Sequence, residues 1–333
     1  LAKSGIDTPP NIVKTLTKTL FDQYLFADYS GGGEDHHSQN NISLYRINST
    51  TPPRKQLPEE GRARNFSRNS LTDFVLRELT HASARGSRTI FGFDHQYSWP
   101  LRLRQHARVD GVNWRTLVRE LSVGNAETGL PALDIPRRYC KAFNSFSSQA
   151  SFWTPLHGVA NSYGIPTDRP LEDAQSRYRL TELVKPIQGE SRPKPADAVG
   201  GTGEGIVGGQ TICGLRQIAK MLDRSDIAWW PYDGFSIDSP SYHGKHVGVE
   251  IYPSAVREGP QISDDHDASV TCLAVHDADS AGRLRSMLHL DPPTKVRDRI
   301  RKEGWILGMD PMDIEPATKL VELRKTRSRK GEA

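Results

Sequence analysis

The alternation of apolar and polar positions divides the chain into short strands and a few helices. Tyr24 to Tyr29 is a β-rich run ending in Ser30-Gly31-Gly32-Gly33, whose glycines permit a tight turn. Ile42 to Ile47 alternates apolar with polar residues as a half-buried strand does, so the first two strands are expected to pair antiparallel. Residues 48–69 read as a Pro-, Arg- and Asn-rich loop. From Ser70, apolar residues at 71, 74, 75, 76 and 79 fall at helical spacing, with Ser70 the expected cap and Asp73 three residues on. Thr89 to Asp94 is a further strand, and Pro100 stops it.

The middle of the chain is less regular. Helices are expected around 114–121 and 171–184, on either side of an aromatic-rich irregular stretch from Phe143 to Tyr163. Pro186, Pro193, Pro195 and Gly200-Gly201 then mark residues 185–209 as a loop or lid. Beyond it come a helix from Thr211 to Leu222, strands at Ile227 to Trp230 and Val247 to Tyr252, and a helix opened by Asp264 and running to Ala281. Ile12, Val13, Leu16 and Leu20, after Pro9-Pro10, predict a helical arm. The division that follows is an arm (1–20), the first part of a core (21–124), an insertion with a flexible loop (125–208), the second part of the core (209–315) and a basic tail (316–333).

Composition narrows the class without naming a function. The 333 residues are 36% hydrophobic and 25% charged, which is globular and excludes fibrous or wholly disordered chains. No apolar run is long enough to span a membrane and the first 20 residues lack a signal peptide's pattern, so the expected location is cytoplasmic. Cys140, Cys213 and Cys272 are odd in number and far apart, which argues against a disulfide framework or a paired-Cys zinc site and for buried thiols. The net charge of +4 fits a polyanionic partner without requiring one.

Candidate chemistry lies in acids at the ends of buried strands. Asp28 closes the first strand, Asp94 closes the strand after the helix, Glu250 sits in a later strand, and Asp264 and Asp267 are three apart on one helix face. Each has an ordinary reading as a cap or an ion-pair partner. Together, converging carboxylates are costly to bury unless a cation neutralises them, and oxygen donors select Mg²⁺ or Mn²⁺. That donor set is the one used in two-metal phosphodiester hydrolysis, where ions about 4 Å apart activate water and stabilise the leaving oxygen. Arg62, Arg64 and Arg68, interleaved with Phe66, and Arg102 and Arg104 are the candidate phosphate contacts, with a solvated surface as the ordinary alternative. Trp153 is a candidate for base stacking, whereas Trp229 reads as core.

A series of short motifs carries a resemblance. Phe26-Ala27-Asp28-Tyr29-Ser30-Gly31-Gly32, Phe91-Gly92-Phe93-Asp94, Arg179-Leu180-Thr181-Glu182, Val207 to Gly214, Trp230-Pro231-Tyr232-Asp233, Val249-Glu250-Ile251-Tyr252-Pro253 and Asp264 to Asp267 occur in an order that resembles the RNase H-like nucleases grouped as domain of unknown function 429. The resemblance implies an α/β, RNase H-like fold: a five-stranded mixed sheet flanked by helices, its first three strands antiparallel, here with an inserted irregular or helical subdomain. It implies Asp28 as the first-strand acid, Asp94 as the fourth-strand acid, Asp264 and Asp267 as the pair on the last helix, and Glu250 in the family's Glu-x-Tyr-Pro strand. It thus implies a Mg²⁺- or Mn²⁺-dependent nuclease acting on DNA or RNA. His95-Gln96-Tyr97 after Asp94 and the long 125–205 region depart from the family pattern.

Two other classes use the same residues differently. Asp28 to Gly33 also resembles the phosphate loop of actin-like and sugar-kinase ATPases, and an RNase H-like scaffold could bind nucleic acid or protein without cutting. Weaker patterns carry less: the glycines from Gly203 to Gly208 follow a loop rather than a strand, Asp35-His36-His37 reads as a solvated turn, and His243 with His246 lacks a nearby third ligand.

Overall fold

The computed structural model describes residues 18–29, 35, 42–48, 51–58, 64–106, 109–123, 140, 152–154, 157–168, 178–187, 193, 207–256 and 263–314. Residues 1–17 of the expected helical arm, most of the expected 125–208 insertion and all of the expected 316–333 tail lie outside them. Within the described residues a mixed sheet has the order β3-β2-β1-β4-β6-β5. Its strands are β1 (Gln23–Asp28), β2 (Ser43–Asn48), β3 (Arg54–Gln56), β4 (Thr89–Phe93), β5 (Ile227–Trp229) and β6 (His246–Glu250). β1, β2 and β3 are successively antiparallel, while β4 lies parallel to β1, β6 to β4, and β5 to β6.

The described residues are therefore α/β with six strands, where five were expected. The two edge strands, β3 and β5, are short, and only β3 has no counterpart in the apolar pattern. β3 falls in the stretch read as loop, because Arg54-Lys55-Gln56 has no apolar alternation and its pairing with β2 leaves the side chains mostly in solvent. β5, three residues long, is the strand expected at Ile227 to Trp230 and lies outside β6. Strands from residues 23–93 and from residues 227–250 share this one sheet.

Strand pleating sorts the core into two layers, one on each face of the sheet. Leu25 and Ala27 of β1 pack with Phe91 and Phe93 of β4 and with Trp229 in one layer. Tyr24 and Phe26 pack with Ile90, Val247 and Val249 in the other. The first layer is covered by α1 (Arg68–Ala84), α3 (Trp114–Val123) and α5 (Gly208–Ala219), and α6 (Asp264–Ser280) lies over β1 and β2 on the opposite face. Three further helices are α2 (Leu101–His106), α4 (Leu180–Leu183) and α7 (Thr294–Glu303), with α7 packed against both of the others. All three cysteines are buried free thiols. Among the described residues no helix is long and apolar enough to cross a membrane.

Helix α1 starts earlier than its apolar pattern. Ser67 is the cap, accepting from the Ser70 backbone, while the Ser70 hydroxyl accepts from the Ser67 backbone in a reciprocal box. Ser70, the expected cap, is thus its N3 residue.

Candidate active site

Backbone pairing alone brings the first two acids together. Ala27 pairs with Phe93 across parallel strands, and the Asp94 N–H donates to the Ala27 carbonyl at 3.0 Å. Asp28 and Asp94 therefore leave the sheet side by side at the same end, and their carboxyl groups hydrogen-bond to each other. The direction of α6 brings the other two. Cys272 lies against the Tyr24 carbonyl, and Asp279 near the helix end accepts from the Leu20 and Phe21 N–H groups and, at 2.6 Å, from the Tyr24 hydroxyl. The helix thus runs antiparallel to β1, and its N-terminal turn comes to the end where Asp28 stands. Asp28 hydrogen-bonds to Asp264, and Asp267 is 4% exposed.

The helix terminus tolerates these acids for its own reasons. Ser263 caps it by accepting from the His266 N–H, and Asp264, Asp265 and Asp267 lie in the first turn, where carboxylates favour the helix dipole. The three then part company. Asp265 turns to Lys55 of β3, 2.6 Å from its ammonium, and to the Ser43 hydroxyl, whereas Asp264 and Asp267 bear on Asp28.

Charge crowding is the electrostatic signature of the cluster. Burial holds Asp28 well above the usual carboxylate range, and the charges of Asp94, Asp264 and Asp267 raise it further. Asp94 is pushed up to about 8, by burial first and then by Asp267 and Glu250. Asp264 is raised too, mainly by burial and then by Asp265. Without a cation, the acids relieve one another by retaining protons and sharing hydrogen bonds. Among the described residues no three His, Cys, Asp or Glu side chains are gathered in ready metal-coordinating geometry. The charges that act most strongly on Asp28 and Asp94 are other carboxylates, and an all-oxygen donor set of this kind suits a hard divalent cation.

Glu250 belongs to a different set of contacts. Val247 and Val249 face the α6 side, so the pleat turns Gly248 and Glu250 to the other; a Cβ built on Gly248 would indeed strike Trp229 and Phe91 there. Both Glu250 oxygens are taken by the Arg179 guanidinium, one at 2.7 Å, and one also accepts from the Tyr97 N–H at 2.9 Å. Its expected catalytic role gives way to an ion pair, because a carboxylate neutralised in this way is no longer free to ligate a cation. Arg179 and Glu182, the two ends of the Arg-Leu-Thr-Glu motif, meet at 2.7 Å across the α4 N-terminus, fully buried.

The expected phosphate-binding arginines divide by burial. Arg68 is fully buried and pairs with Asp35 at 3.1 Å, and Arg216 reaches the same carboxylate at 3.3 Å, so Asp35 is a counter-ion to both, while His36 and His37 of the expected turn lie outside the described residues. Arg104 is also fully buried and donates to the carbonyls of Lys302, Val109 and Val112. Neither can meet a nucleic acid in this fold. Arg64 and Arg102 are exposed, and Arg62 lies outside the described residues, as do Gly31 to Gly33 of the phosphate-loop pattern and Gly203 and Gly205 of the other glycine pattern. Trp153 is half-buried and Trp229 is core. His246 is buried, accepting from the Thr89 N–H and bonded to Ser83, while His243 is exposed, so the two do not form a metal pair.

Two neighbours of the acids carry no role in the sequence reading, although His95 stands there as a departure from the family pattern. Gln210, in the first turn of α5, donates to the carbonyls of both Tyr29 and Asp94, tying the two acid-bearing strand ends together. His95 is buried between Tyr29, Phe93 and Tyr97 and kept neutral, its ring pushed down to about 3 by burial. The ring lies so close to Gly214 that a Cβ there would strike it. No protein-family model, curated protein or solved structure matches this chain.

Proposed function

We propose that this chain is a divalent-metal-dependent nuclease built on an RNase H-like core, and that Asp28, Asp94, Asp264 and Asp267 are its metal-binding acids. The observation that carries the reading is the meeting of these four carboxylates, drawn from two adjacent parallel strands and the N-terminal turn of a helix, at one end of the sheet. The sheet supports it: three antiparallel strands followed by strands parallel to the first are the order an RNase H-like core requires, with β5 as an added edge.

Mg²⁺ or Mn²⁺, when bound, would polarise the scissile phosphate and lower the pKa of an attacking water. The chain's own part is to hold the ligands on rigid elements. Asp28 and Asp94 are fixed by the strand ladder and by Gln210, and Asp28 also accepts from the Tyr29 N–H at 2.7 Å. Asp264 and Asp267 are fixed by a capped helix. In the absence of a cation these groups retain protons, so metal binding requires their release and is favoured as pH rises. Exposed Arg64 and Arg102 remain as candidate contacts for the phosphate backbone of DNA or RNA.

The test is incubation of the purified protein with labelled single- and double-stranded DNA and RNA in Mn²⁺, Mg²⁺ or EDTA. Cleavage in metal, absent in EDTA and abolished in a folded Asp28→Asn variant, is expected. Cleavage retained in both Asp28→Asn and Asp94→Asn would overturn the site. Binding without cleavage in any metal would return the chain to a non-catalytic scaffold.

A further inference from the structure

A dense buried ionic network surrounds Glu250, whose side chain turns to the sheet face away from α6. Arg179, Glu182, Glu250 and Glu303 are each no more than 2% exposed. Arg179 is its centre: its Nε meets Glu182, its two terminal nitrogens meet Glu250, and one of them also donates to the Glu303 carbonyl at 3.1 Å. The Glu303 carboxylate accepts from the Leu180 and Leu101 N–H groups and from Arg299. Burying three carboxylates and a guanidinium costs heavily in desolvation, and an apolar core of similar volume would serve stability as well. The network is therefore weakly explained by stability alone.

Its contacts point toward the acid site. Both carboxylates that Arg179 neutralises hold the turn that follows Asp94. Glu182 accepts from the Gln96 side chain at 2.8 Å, and Glu250 accepts from the Tyr97 N–H at 2.9 Å. The Tyr97 hydroxyl then closes the turn, donating to the Val249 carbonyl at 2.8 Å and accepting from the Phe93 N–H at 3.2 Å. The path thus runs from Arg179 through two carboxylates to Gln96 and Tyr97, and so to the backbone that sets the direction of Asp94. We infer that Arg179 is a positioning residue: through Glu182 and Glu250 it fixes the Asp94 to Tyr97 turn, and so the reach of Asp94 toward the cation. The inference rests on the metal-dependent reading of the four aspartates.

The charge balance explains why an arginine is needed. Burial opposes the guanidinium charge, but Glu250 and Glu182 outweigh it and raise Arg179 further above its ordinary value. A lysine could supply the charge but not the planar fork that engages two carboxylates and a carbonyl at once.

Three full-length variants test this. Arg179→Lys keeps the charge and loses the fork, Glu182→Gln keeps the acceptor for Gln96 and loses the charge, and Gln96→Met cuts one link while leaving Arg179 in place. Mn²⁺ is titrated against each, followed by its electron paramagnetic resonance signal and by cleavage rate. Supports of metal ligands commonly govern affinity by about 10- to 100-fold. Arg179→Lys is therefore expected to raise the Mn²⁺ half-saturation about tenfold and lower kcat similarly, while KM for nucleic acid stays within about twofold. Gln96→Met should move both in the same direction, and Glu182→Gln less than either. A merely structural arginine would change unfolding without this split between kcat and KM. Wild-type Mn²⁺ affinity and kcat in folded Arg179→Lys and Gln96→Met would overturn the inference while leaving the nuclease reading intact. If Arg179→Lys does not fold, Gln96→Met alone decides. A wild-type protein that binds no Mn²⁺ would overturn both.

Discussion

Replacing Asp94 with asparagine should make the metal-free protein more stable at neutral and alkaline pH, although Asp94 is a proposed metal ligand. The folded protein raises this carboxyl from 3.8 to about 8. A group raised on folding contributes its full stability below its unfolded pKa, and that contribution is lost progressively as pH climbs toward the folded value. At pH 7 the interval already crossed is about 3 units, or about 4 kcal/mol at 1.36 kcal/mol per unit. That is an upper bound: Asp94 keeps some contact with solvent and shares its strain with Asp28 and Asp264, so about 1–3 kcal/mol is expected to be recovered. An amide in its place donates to Asp28 without adding charge. The assay is urea unfolding of both proteins in EDTA from pH 4 to pH 9. The difference should be near zero at pH 4, grow in favour of Asp94→Asn toward pH 8, and then level off. Saturating Mn²⁺ should reverse the order by stabilising the wild type more. An asparagine variant less stable than wild type at pH 8 in EDTA would show that Asp94 is a structural acid, and the crowding argument would fail.

The same structure sets two further expectations. Gly214→Ala lies within α5, where alanine ordinarily favours a helix, but its Cβ would meet the buried His95 ring; a loss of about 1–3 kcal/mol by urea unfolding is expected, and a gain would show that the ring yields freely. Arg104→Leu strands the carbonyls of Lys302, Val109 and Val112 and should cost about 2–4 kcal/mol, whereas exposed Arg102→Ala should change stability by no more than about 0.5 kcal/mol; equal effects in the same unfolding assay would contradict the division by burial.

The apolar pattern was a sound guide wherever a segment is buried on at least one face. β1, β2, β4, β6, α5 and α6 lie within a few residues of where their periodicity places them. It was silent on β3, which is stabilised by its neighbour's backbone and by Lys55 reaching Asp265, two contacts that leave no mark on local hydropathy. It misplaced the start of α1 because a cap is chosen by which hydroxyl can meet the free backbone N–H groups, and Ser67 and Ser70 divide that task between them. Of the middle helices, that expected at 114–121 is α3, while residues 171–177 of the one expected at 171–184 lie outside the described residues, and within the remainder α4 is a single turn anchored by a buried ion pair.

For charged residues, sequence gives the type and the fold gives the partner. Arg68 and Arg104 are indistinguishable in composition from surface arginines, and their partners are 33 residues away at Asp35 and 198 away at Lys302. The acids show the same logic with a sharper result. Asp94 and Glu250 both end strands at one end of the sheet, and Phe93, paired with Glu250, immediately precedes Asp94. One step of pleat separates the two carboxylates onto opposite faces. On the α6 face, Asp94 meets three more carboxylates, whose crowding leaves a demand for positive charge from outside the chain. On the other face Glu250 meets Arg179, which fills that demand from within. The same residue chemistry thus becomes a candidate ligand set on one side and its support on the other, and the deciding quantity is the parity of a residue along its strand.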